Sequence, residues 1–517
     1  MSAIVTDQFR ILNSANFVSS VNQTDNSYYV VIGLPNANAV GYGRSEEWDE
    51  NTPDPLDSFY DNAHFSDTIM YGNKITSSNI RRIVRRVNWT SGTRYEIYRH
   101  DYTVKNPSQL TESTSLYDAN YYVMNSDFRV YVCIDNGSNG DNLSGNISID
   151  EPKFTDLEPS RAGDSGDGYL WKYLFTVSPA DVIKFDDLDY ITLPPDWEKS
   201  TDSGNRAVRE SADSSVNFNQ IKKVYIAEKG NGYVNGSHEV DILGDGTGAR
   251  VRVTVTDGEI TDAIVISGGS GYSWGVVDLG SINSGVAPDY AKLDVIIPPS
   301  LGHGYDIYKE LGADKVLIYA RFDDSTKDFP VNTKFSQVGI VKNPTVIGSS
   351  STFTDSTFSN LHSVIFETTG VEEPIIGEKI RQNLTNDIAF GYVASWDKET
   401  SVMKYFYDRS LFINQTTLDS TDYVGITTGA KLVTFIPNNS SIIGEESDFS
   451  GKINTNFTGL STNPTGNKNI PLGVTFTNGL ASPEINIGSG ELLYMDNRPA
   501  ITRNSRQKED VKIVLEF

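Results

Sequence analysis

The segment Gly163-Asp164-Ser165-Gly166 has residue types that could perform nucleophilic chemistry. A serine held in a glycine-rich turn acts as a nucleophile when a histidine accepts its proton and a carboxylate orients that histidine. His64 and Asp101 precede Ser165 in the chain and could supply those two groups. The turn comes directly before a strand-like run, and no apolar strand precedes His64. We therefore expect the turn to be structural and the chain to have no hydrolase activity.

The acidic residues of the same turn could instead bind calcium. An EF-hand loop needs further oxygen ligands and a glutamate at its twelfth position, but Val177 lies near that position and no acidic residue does. The five histidines are scattered, and neither His-x-x-His nor Cys-x-x-Cys spacing occurs, so no zinc site is expected. We predict no metal and no cofactor, with calcium in an acidic loop as the open alternative.

Two other patterns suggest chemistry only weakly. The glycines of 244–248 lack the lysine that follows in a phosphate-binding loop, and they stand between strands, so we interpret them as hairpin corners. A glycan depolymerase would need two carboxylates about 5–9 Å apart across a cleft. The acidic pairs Asp323-Asp324 and Glu372-Glu373 are more typical of solvated turns.

Four arginines, Arg81, Arg82, Arg85 and Arg86, are the strongest candidates for a functional surface. The segment 78–87 predicts a short helix, in which a spacing of four places these arginines in two stacked pairs. Arginine binds carboxylates through two parallel hydrogen bonds. We expect the basic face to pair with acidic groups of a partner subunit; a solvated helix face is the alternative.

Aromatic residues suggest a second class of function, because sugars stack on exposed aromatic rings. The candidates for such a sugar-binding face are Tyr233, Tyr272, Trp274, Tyr392 and Trp396. The alternative is that these side chains fill hydrophobic cores.

The composition limits the class of protein. The chain has 517 residues, more than the ~250–300 of a single core, so two to four domains are expected. Its 27 tyrosines, 23 phenylalanines and 43 glycines favour strands and tight turns. A net charge of −25 argues against nucleic acid as a partner, because nucleic-acid binding depends on neutralising phosphates.

The single cysteine, Cys133, lies in an apolar strand-like run and is expected to be a small core residue. Without a second cysteine the chain cannot form an internal disulfide, which favours a reducing compartment. No stretch approaches the ~20 apolar residues of a membrane span. The first 17 residues lack the pattern of a signal peptide, so we expect no membrane crossing by the usual route.

Local patterns predict mostly strands. A helix is predicted over 7–19, with Phe9, Leu12, Ala15 and Asn16 near one face. The segment 36–57 predicts a long polar loop. Strands are predicted over 28–33, 95–98, 121–124, 128–134 and 169–177. A short helix is predicted over 181–185.

The second half of the chain has glycine corners and alternating runs. Asp257-Gly258 separates the alternating runs 250–256 and 260–267, a strong hairpin signal. A second β-rich stretch covers 345 to about 475, and its tail 438–469 predicts a loop because apolar residues are few. The final run 511–517 predicts a strand whose alternate residues are buried.

Five motifs follow one another along the chain: Gly43–Trp48, Arg85–Tyr95 with its double arginine before tryptophan, Asp167–Phe175, Phe335–Pro344 and Gly490–Pro499. Together they resemble the baseplate wedge subunits of contractile-tailed phages, the gene product eight family of T-even-type tails. Each motif alone is weak, but the five occur in the order of that family.

The resemblance covers about 1–225, 305–345 and 485–517, which leaves two stretches that look like insertions. We therefore expect a mainly β, multi-domain protein: a β-sandwich-like core with a few short helices and two inserted small all-β modules. The expected segments are the core parts 1–225, 305–344 and 485–517, and the inserts 226–304 and 345–484.

The resemblance also implies a function. It implies a homodimer that contacts other wedge subunits within a six-fold baseplate, located in the virion tail and assembled in the host cytoplasm. We expect a structural subunit without enzymatic activity. The alternatives are a glycan-binding tail protein and, less favoured, a glycan depolymerase.

Overall fold

The structure is a computed structural model, which describes residues 6–34, 52, 54–285, 289–323, 334–407, 426–427, 431–463, 466, 468–502 and 507–517. The motif Gly43–Trp48, most of the predicted loop 36–57, and Asp324 lie outside these residues. The expectation of a mainly β chain is confirmed, with 42% strand and 12% helix. Within the described residues, no helix has both the length and the hydropathy needed to cross a membrane.

The helices are short. The described residues form the α-helices α1 (Asp7–Val21), α2 (Phe59–Thr68), α3 (Pro179–Phe185), α4 (Ser203–Ala212) and α5 (Ile307–Leu311), and the 3-10 turns Leu116–Asp118, Trp197–Lys199 and Gly280–Ile282.

The strands of the first part of the chain include most of those predicted. They are β1 (Tyr28–Gly33), β2 (Ile69–Lys74), β3 (Ile80–Arg85), β4 (Tyr122–Met124), β5 (Arg129–Asn136), β6 (Tyr169–Thr176), β7 (Tyr190–Thr192), β8 (Lys223–Glu228), β9 (Gly236–Gly244), β10 (Thr247–Thr256), β11 (Glu259–Ser270), β12 (Gly275–Val277), β13 (Lys292–Ile296), β14 (Lys315–Phe322) and β15 (Lys334–Lys342).

The strands of the second part are shorter on average. They are β16 (Thr357–Ser359), β17 (His362–Thr369), β18 (Lys379–Asn383), β19 (Ile388–Asp397), β20 (Val402–Phe406), β21 (Ile426–Thr427), β22 (Lys431–Leu432), β23 (Ile442–Gly444), β24 (Ser450–Ile453), β25 (Gly459–Thr462), β26 (Ile470–Phe476), β27 (Leu480–Ala481), β28 (Glu491–Thr502) and β29 (Glu509–Glu516).

The chain forms two compact units, each built from separate stretches. Unit 1 contains residues 1–18, 81–317 and 514–517, and unit 2 contains 19–80 and 318–513. The expected segment 1–225 therefore contributes to both units. A further sheet has the strand order β29-β14-β3-β7.

The core of unit 1 surrounds the antiparallel sheet β4-β5-β6. Tyr169 and Trp171 are fully buried, and their rings stack with centroids 5.2 Å apart. Cys133 is also fully buried, and burial raises the pKa of its thiol well above the ordinary value. Its predicted role as a small core residue is confirmed.

The segment 95–98 is buried but is not a strand, contrary to the prediction. Its backbone bonds go to separate partners: Glu96 N–H donates to Asn120 at 3.1 Å and Tyr98 N–H donates to Cys133 at 2.8 Å. Alternating bonds to different segments do not form a ladder with one neighbour, so apolar alternation here reflects burial alone.

The first expected insert has a small sheet and a core of its own. The sheet has the order β11-β10-β9-β12, and β8 pairs with β13 where the insert joins the rest of unit 1. The predicted hairpin is confirmed, with β10 antiparallel to β11. Its turn residues Asp257 and Gly258 both have positive φ, at 52° and 82°, as a tight hairpin turn requires.

Unit 2 contains an antiparallel sheet of order β16-β2-β1-β15-β28. The central strand β1 is buried along its whole length, consistent with its apolar sequence. A buried polar chain crosses the sheet, in which Thr68 Oγ1 donates to Gln337 Oε1 at 3.2 Å and Gln337 Nε2 donates to Asn497 Oδ1 at 3.0 Å. These bonds satisfy side chains that would otherwise be costly to bury.

The second expected insert contains a closed barrel of six strands, in the order β20-β19-β18-β23-β24-β17, with β17 pairing back to β20. Apolar side chains fill its interior. Glu378 is fully buried and accepts hydrogen bonds from Ile375 N–H at 2.8 Å and Ser447 N–H at 3.0 Å. The loop predicted over 438–469 is wrong, since short strands there complete the barrel.

Helix α1 confirms the predicted helix over 7–19, and a different face from the one containing Phe9 and Leu12 is buried. Ile11 and Ser14 are buried, whereas Phe9 and Leu12 are 53% and 54% exposed. The Ser14 hydroxyl donates to the Ala313 carbonyl at 2.6 Å, so a polar anchor sets the helix rotation.

The C-terminal strand is expected to be essential for folding. Ile513 is buried in β29, and the Phe517 ring contacts Phe17 with centroids 5.6 Å apart. Removing residues 513–517 should abolish cooperative thermal unfolding, because each such buried side chain contributes about 1.5–3 kcal/mol. Val514→Ala removes only an outward-facing side chain and should melt like the native chain. A soluble, cooperatively melting truncation would refute the prediction.

The barrel should lose stability in mild acid through His362. Its ring lies near those of Tyr405 and Tyr407, at centroid distances of 5.4 and 4.8 Å, and burial lowers its pKa to about 4. In the unfolded chain His362 has an ordinary pKa. The contribution of its neutral ring to stability is therefore fully present above about pH 6.5 and is lost as the pH falls towards 4. Residue His362 is only partly buried, so we expect a loss smaller than the full pKa shift implies, about 2 kcal/mol.

Urea unfolding followed between pH 7 and pH 4 tests this expectation. His362→Phe removes the titrating ring, so the free energy of unfolding of this variant should change less between pH 7 and pH 4 than that of the native chain. An identical pH profile in the variant would show that other groups are responsible.

Candidate subunit interface

The four candidate arginines do not lie on a helix, so that prediction is wrong. Arg81, Arg82 and Arg85 belong to strand β3, and Arg86 follows it. Tertiary contacts override the local spacing: Ile83 and Val84 are buried, and β3 pairs with β7. Residues four apart are about 13 Å apart along a strand, so the arginines form no stacked pairs.

Arg81 forms a partly buried ion pair within unit 1. Its Nε donates to Asp181 Oδ1 at 2.9 Å, and the two side chains are 12% and 9% exposed. Helix α3 positions Asp181, since the Ser178 hydroxyl caps that helix by accepting from Asp181 N–H at 3.1 Å. The pair lines a cleft of about 820 Å³.

Arg82 stabilises the packing of an aromatic residue. Its guanidinium lies 3.0 Å from the centroid of the Tyr308 ring. Burial raises the pKa of Tyr308, and its hydroxyl donates to the Pro194 carbonyl at 2.6 Å. Arg82 is therefore held inside unit 1 by a cation–π contact.

Arg85 and Arg86 line a second cleft of unit 1, of about 630 Å³. Arg85 Nη2 donates to the carbonyls of Asp118 and Ala119 at 3.2 and 3.0 Å. Arg86 Nη1 donates to Asp186 Oδ1 at 2.8 Å. Acidic partners do face the arginines, but those of Arg81 and Arg86 come from the same chain.

The 630 Å³ cleft also contains charges from other elements. Lys315 pairs with Asp314 and Glu516, each at 3.1 Å. Arg10 of α1 lines the same cleft, and within the described part of the chain its side chain makes no hydrogen bond or ion pair. At the rim, Leu188 is 90% exposed. We call Arg10, Arg85, Arg86 and Leu188 the cleft surface.

The structure places the residues of the suspected nucleophile site in different settings. Ser165 N–H donates to Asp150 Oδ2 at 2.8 Å, and hydrogen bonds from Ser165 lower the pKa of Asp150. Burial acts to raise the pKa of Asp101, but Arg99 outweighs burial and lowers it. His64 is buried on α2 in unit 2, whereas the other two candidates belong to unit 1.

The acidic turn uses its carboxylates to hold backbone. Asp167 Oδ2 accepts from Ile149 N–H at 2.9 Å, and Oδ1 accepts from Tyr169 N–H at 3.0 Å. Among the described residues, no three His, Cys, Asp or Glu side chains are grouped in a way that could hold a metal ion.

The suspected sugar-binding aromatics are mostly core residues. Tyr233, Tyr272 and Tyr392 are buried, and Trp396 packs on Phe449 with centroids 5.6 Å apart. Trp274 differs, because the residue is 55% exposed. Core filling is therefore confirmed for the three tyrosines.

A buried ion cluster was missed from the sequence. Arg99 is 3% exposed and binds Asp101 and Asp294 at 2.7 and 3.0 Å, with its guanidinium 4.1 Å from the Tyr225 ring centroid. It joins β8 and β13, at the base of the first insert, to the core of unit 1. The only sequence signal was the charged run 99–101 directly after a buried aromatic segment.

Replacing Arg99 should strongly destabilise unit 1. Arg99→Ala leaves two partly buried carboxylates facing each other, and breaking a buried pair typically costs about 3–5 kcal/mol. Urea unfolding measures the change. Arg206→Ala, which removes an exposed ion pair with Glu210, is the control and should cost under ~1 kcal/mol. Equal effects of the two variants would contradict this role.

Comparison of the chain with models of known protein families and with curated proteins finds no match.

Proposed function

We propose that this chain is a structural subunit of the baseplate wedge of a contractile phage tail. Its task is mechanical: it presents fixed surfaces to neighbouring wedge subunits, forms a homodimer within a six-fold baseplate, and carries out no catalytic step. It would act in the virion tail after assembly in the host cytoplasm. The ordered series of five family-like motifs is the basis of this proposal.

One observation supports the proposal most directly: motifs far apart in sequence pair with each other. Strand β15, in the motif Phe335–Pro344, is antiparallel to β28, in the motif Gly490–Pro499. Gln337 lies opposite Asn497 and Ile340 lies opposite Tyr494. The residues between the motifs include a barrel with its own core. This arrangement fits a common framework interrupted by an insertion.

The motif Asp167–Phe175 supports the same framework in unit 1. It includes the start of β6, and its Trp171 and Phe175 are fully buried. The first insert again has a separate core. Residues shared with the family would then define the framework, while the inserts carry what is particular to this chain.

The cleft surface is the best-supported contact for a neighbouring subunit. Arg85 and Arg86 line the cleft while donating to groups of unit 1, and Arg10 lines it without a hydrogen bond or ion pair among the described residues. Exposed Leu188 supplies an apolar contact beside these charges. Arginine is one of the residue types enriched among those that dominate binding energy at interfaces.

The test replaces residues whose side chains do not hold the fold. Arg10→Glu combined with Leu188→Asp should reduce incorporation into a wedge reconstituted from purified subunits at least tenfold. The physical reason is charge reversal and loss of apolar contact at one surface. Sedimentation of the assembled wedge measures incorporation, and thermal melting checks the fold.

Arg206→Glu combined with Val216→Asp is the matched control. It makes the same chemical changes at positions 55% and 68% exposed, outside the cleft lining. Native incorporation of the cleft variant would exclude the cleft surface as a contact.

A further inference from the structure

The sheet β11-β10-β9-β12 of the first insert has one face without a covering element in the described structure. Its inner face carries Val240, Ile242, Val251 and Val253, which are buried in the core of the insert. Side chains alternate along each strand, so the residues between these point to the opposite side. We call that side the outer face.

The two central strands of the outer face carry opposite charges in register. Arg250 lies opposite Asp241, and Arg252 lies opposite Glu239. The corresponding ion pairs measure 3.1 and 3.0 Å. Each of the four side chains is 42–67% exposed. Strand β10 thus presents a row of cations beside a row of anions on β9.

Apolar side chains flank the two charged rows. On the β11 side, Ile264 and Ile266 are 53% and 39% exposed. On the β12 side, Val276 lies opposite Leu243, and they are 56% and 54% exposed, with Trp274 beside them. Across the outer face the order is therefore apolar, cationic, anionic and apolar.

We propose that the outer face binds a second copy of this chain about a two-fold axis parallel to the strands. Rotation about such an axis reverses the order of the strands but keeps each position along them. The cationic row on β10 then faces the anionic row on β9 of the other copy. Arg250 meets Asp241, Arg252 meets Glu239, and Ile266 approaches Val276.

The charge order is what selects a second copy. A uniformly acidic or basic partner would be attracted by one central row and repelled by the other, whereas the rotated copy matches both rows and both flanks. Isologous contacts of this kind are self-complementary by symmetry. The homodimer itself rests on the proposed function; the surface assigned to it follows from the sheet alone.

The size of the face predicts a reversible dimer. Four strands about 4.8 Å apart and about six residues long cover roughly 400 Å² on each copy. Specific interfaces bury about 800 Å² per partner, and the smaller ones belong to weak complexes. Association should therefore depend on concentration and weaken with added salt.

Charge exchange gives a decisive experiment. The variants are Arg250→Glu with Arg252→Glu, and Glu239→Arg with Asp241→Arg, each in the full chain. Light scattering from about 1 to 100 μM should show the native mass rising from one to two chains of 57.0 kDa. Each variant alone should stay at one chain. An equimolar mixture should regain two chains, because one copy is then fully acidic and the other fully basic.

Arg206→Glu with Lys309→Glu is the matched control for Arg250→Glu with Arg252→Glu, since it makes the same change in net charge at residues 55% and 64% exposed. It should dimerise like the native chain. If a charge variant fails to fold by circular dichroism, Ile266→Asp with Val276→Asp tests the apolar flanks instead and should also stay at one chain.

Two results would overturn the inference. One is a native chain that stays single throughout the concentration range, and the other is a dimer that persists in both charge variants. The second result would assign the dimer to another surface. Wedge reconstitution measures the proposed function separately, so its failure is distinguishable from a failure of this interface.

Discussion

The pairing of β15 with both β1 and β28 constrains the rest of unit 2. Three stretches that are far apart in the chain must meet in one sheet, although a barrel lies between two of them. Val346 forms an isolated β-bridge with Ile485, so the two ends of the segment that contains the barrel are held side by side. The entropy cost of closing a loop grows only with the logarithm of its length. A long insertion is therefore tolerated when its ends are held together and its interior folds on a core of its own.

The two ends of the first insert, in unit 1, are likewise held together. The pairing of β8 with β13 holds its ends together, and the Arg99 cluster fixes that pair to the core. Burying Arg99 without its two carboxylates would carry a large desolvation penalty. The Arg99 cluster thus fixes how the first insert is attached. The sheet β11-β10-β9-β12 of the insert remains available for other contacts.

Local signals predicted local structure well. The turn Asp257-Gly258 predicted the hairpin of β10 and β11, because both residues adopt the positive φ that glycine and aspartate tolerate. The apolar run around Cys133 predicted a buried strand. The segment 78–87 failed because its buried residues pair with β7, more than 100 positions away. The barrel was not predictable from periodicity, since its closure joins β17 to β20 through interleaved, non-local pairings.

The candidate site was predicted by residue type but not by geometry. The sequence identified the arginines, yet it could not reveal that Arg81 and Arg82 are engaged within unit 1. The missed residue, Arg10, lies on a helix whose rotation depends on a hydrogen bond from Ser14 to Ala313, 299 positions away. No local pattern encodes that bond.

The acidic net charge explains why a few cationic side chains on the surface matter for association. A chain with 68 acidic and 43 basic residues repels other acidic chains at long range, and many of its cations are already paired within the chain. Screening limits this repulsion to about 8–10 Å at moderate salt. Association between such chains therefore depends on short-range patches where cations are presented in order. The cleft around Arg10 presents its arginines among acidic residues of the same lining, and we propose that it contacts a different subunit. The outer face of β9 and β10 presents cations and anions in an order that a copy of the same sheet matches.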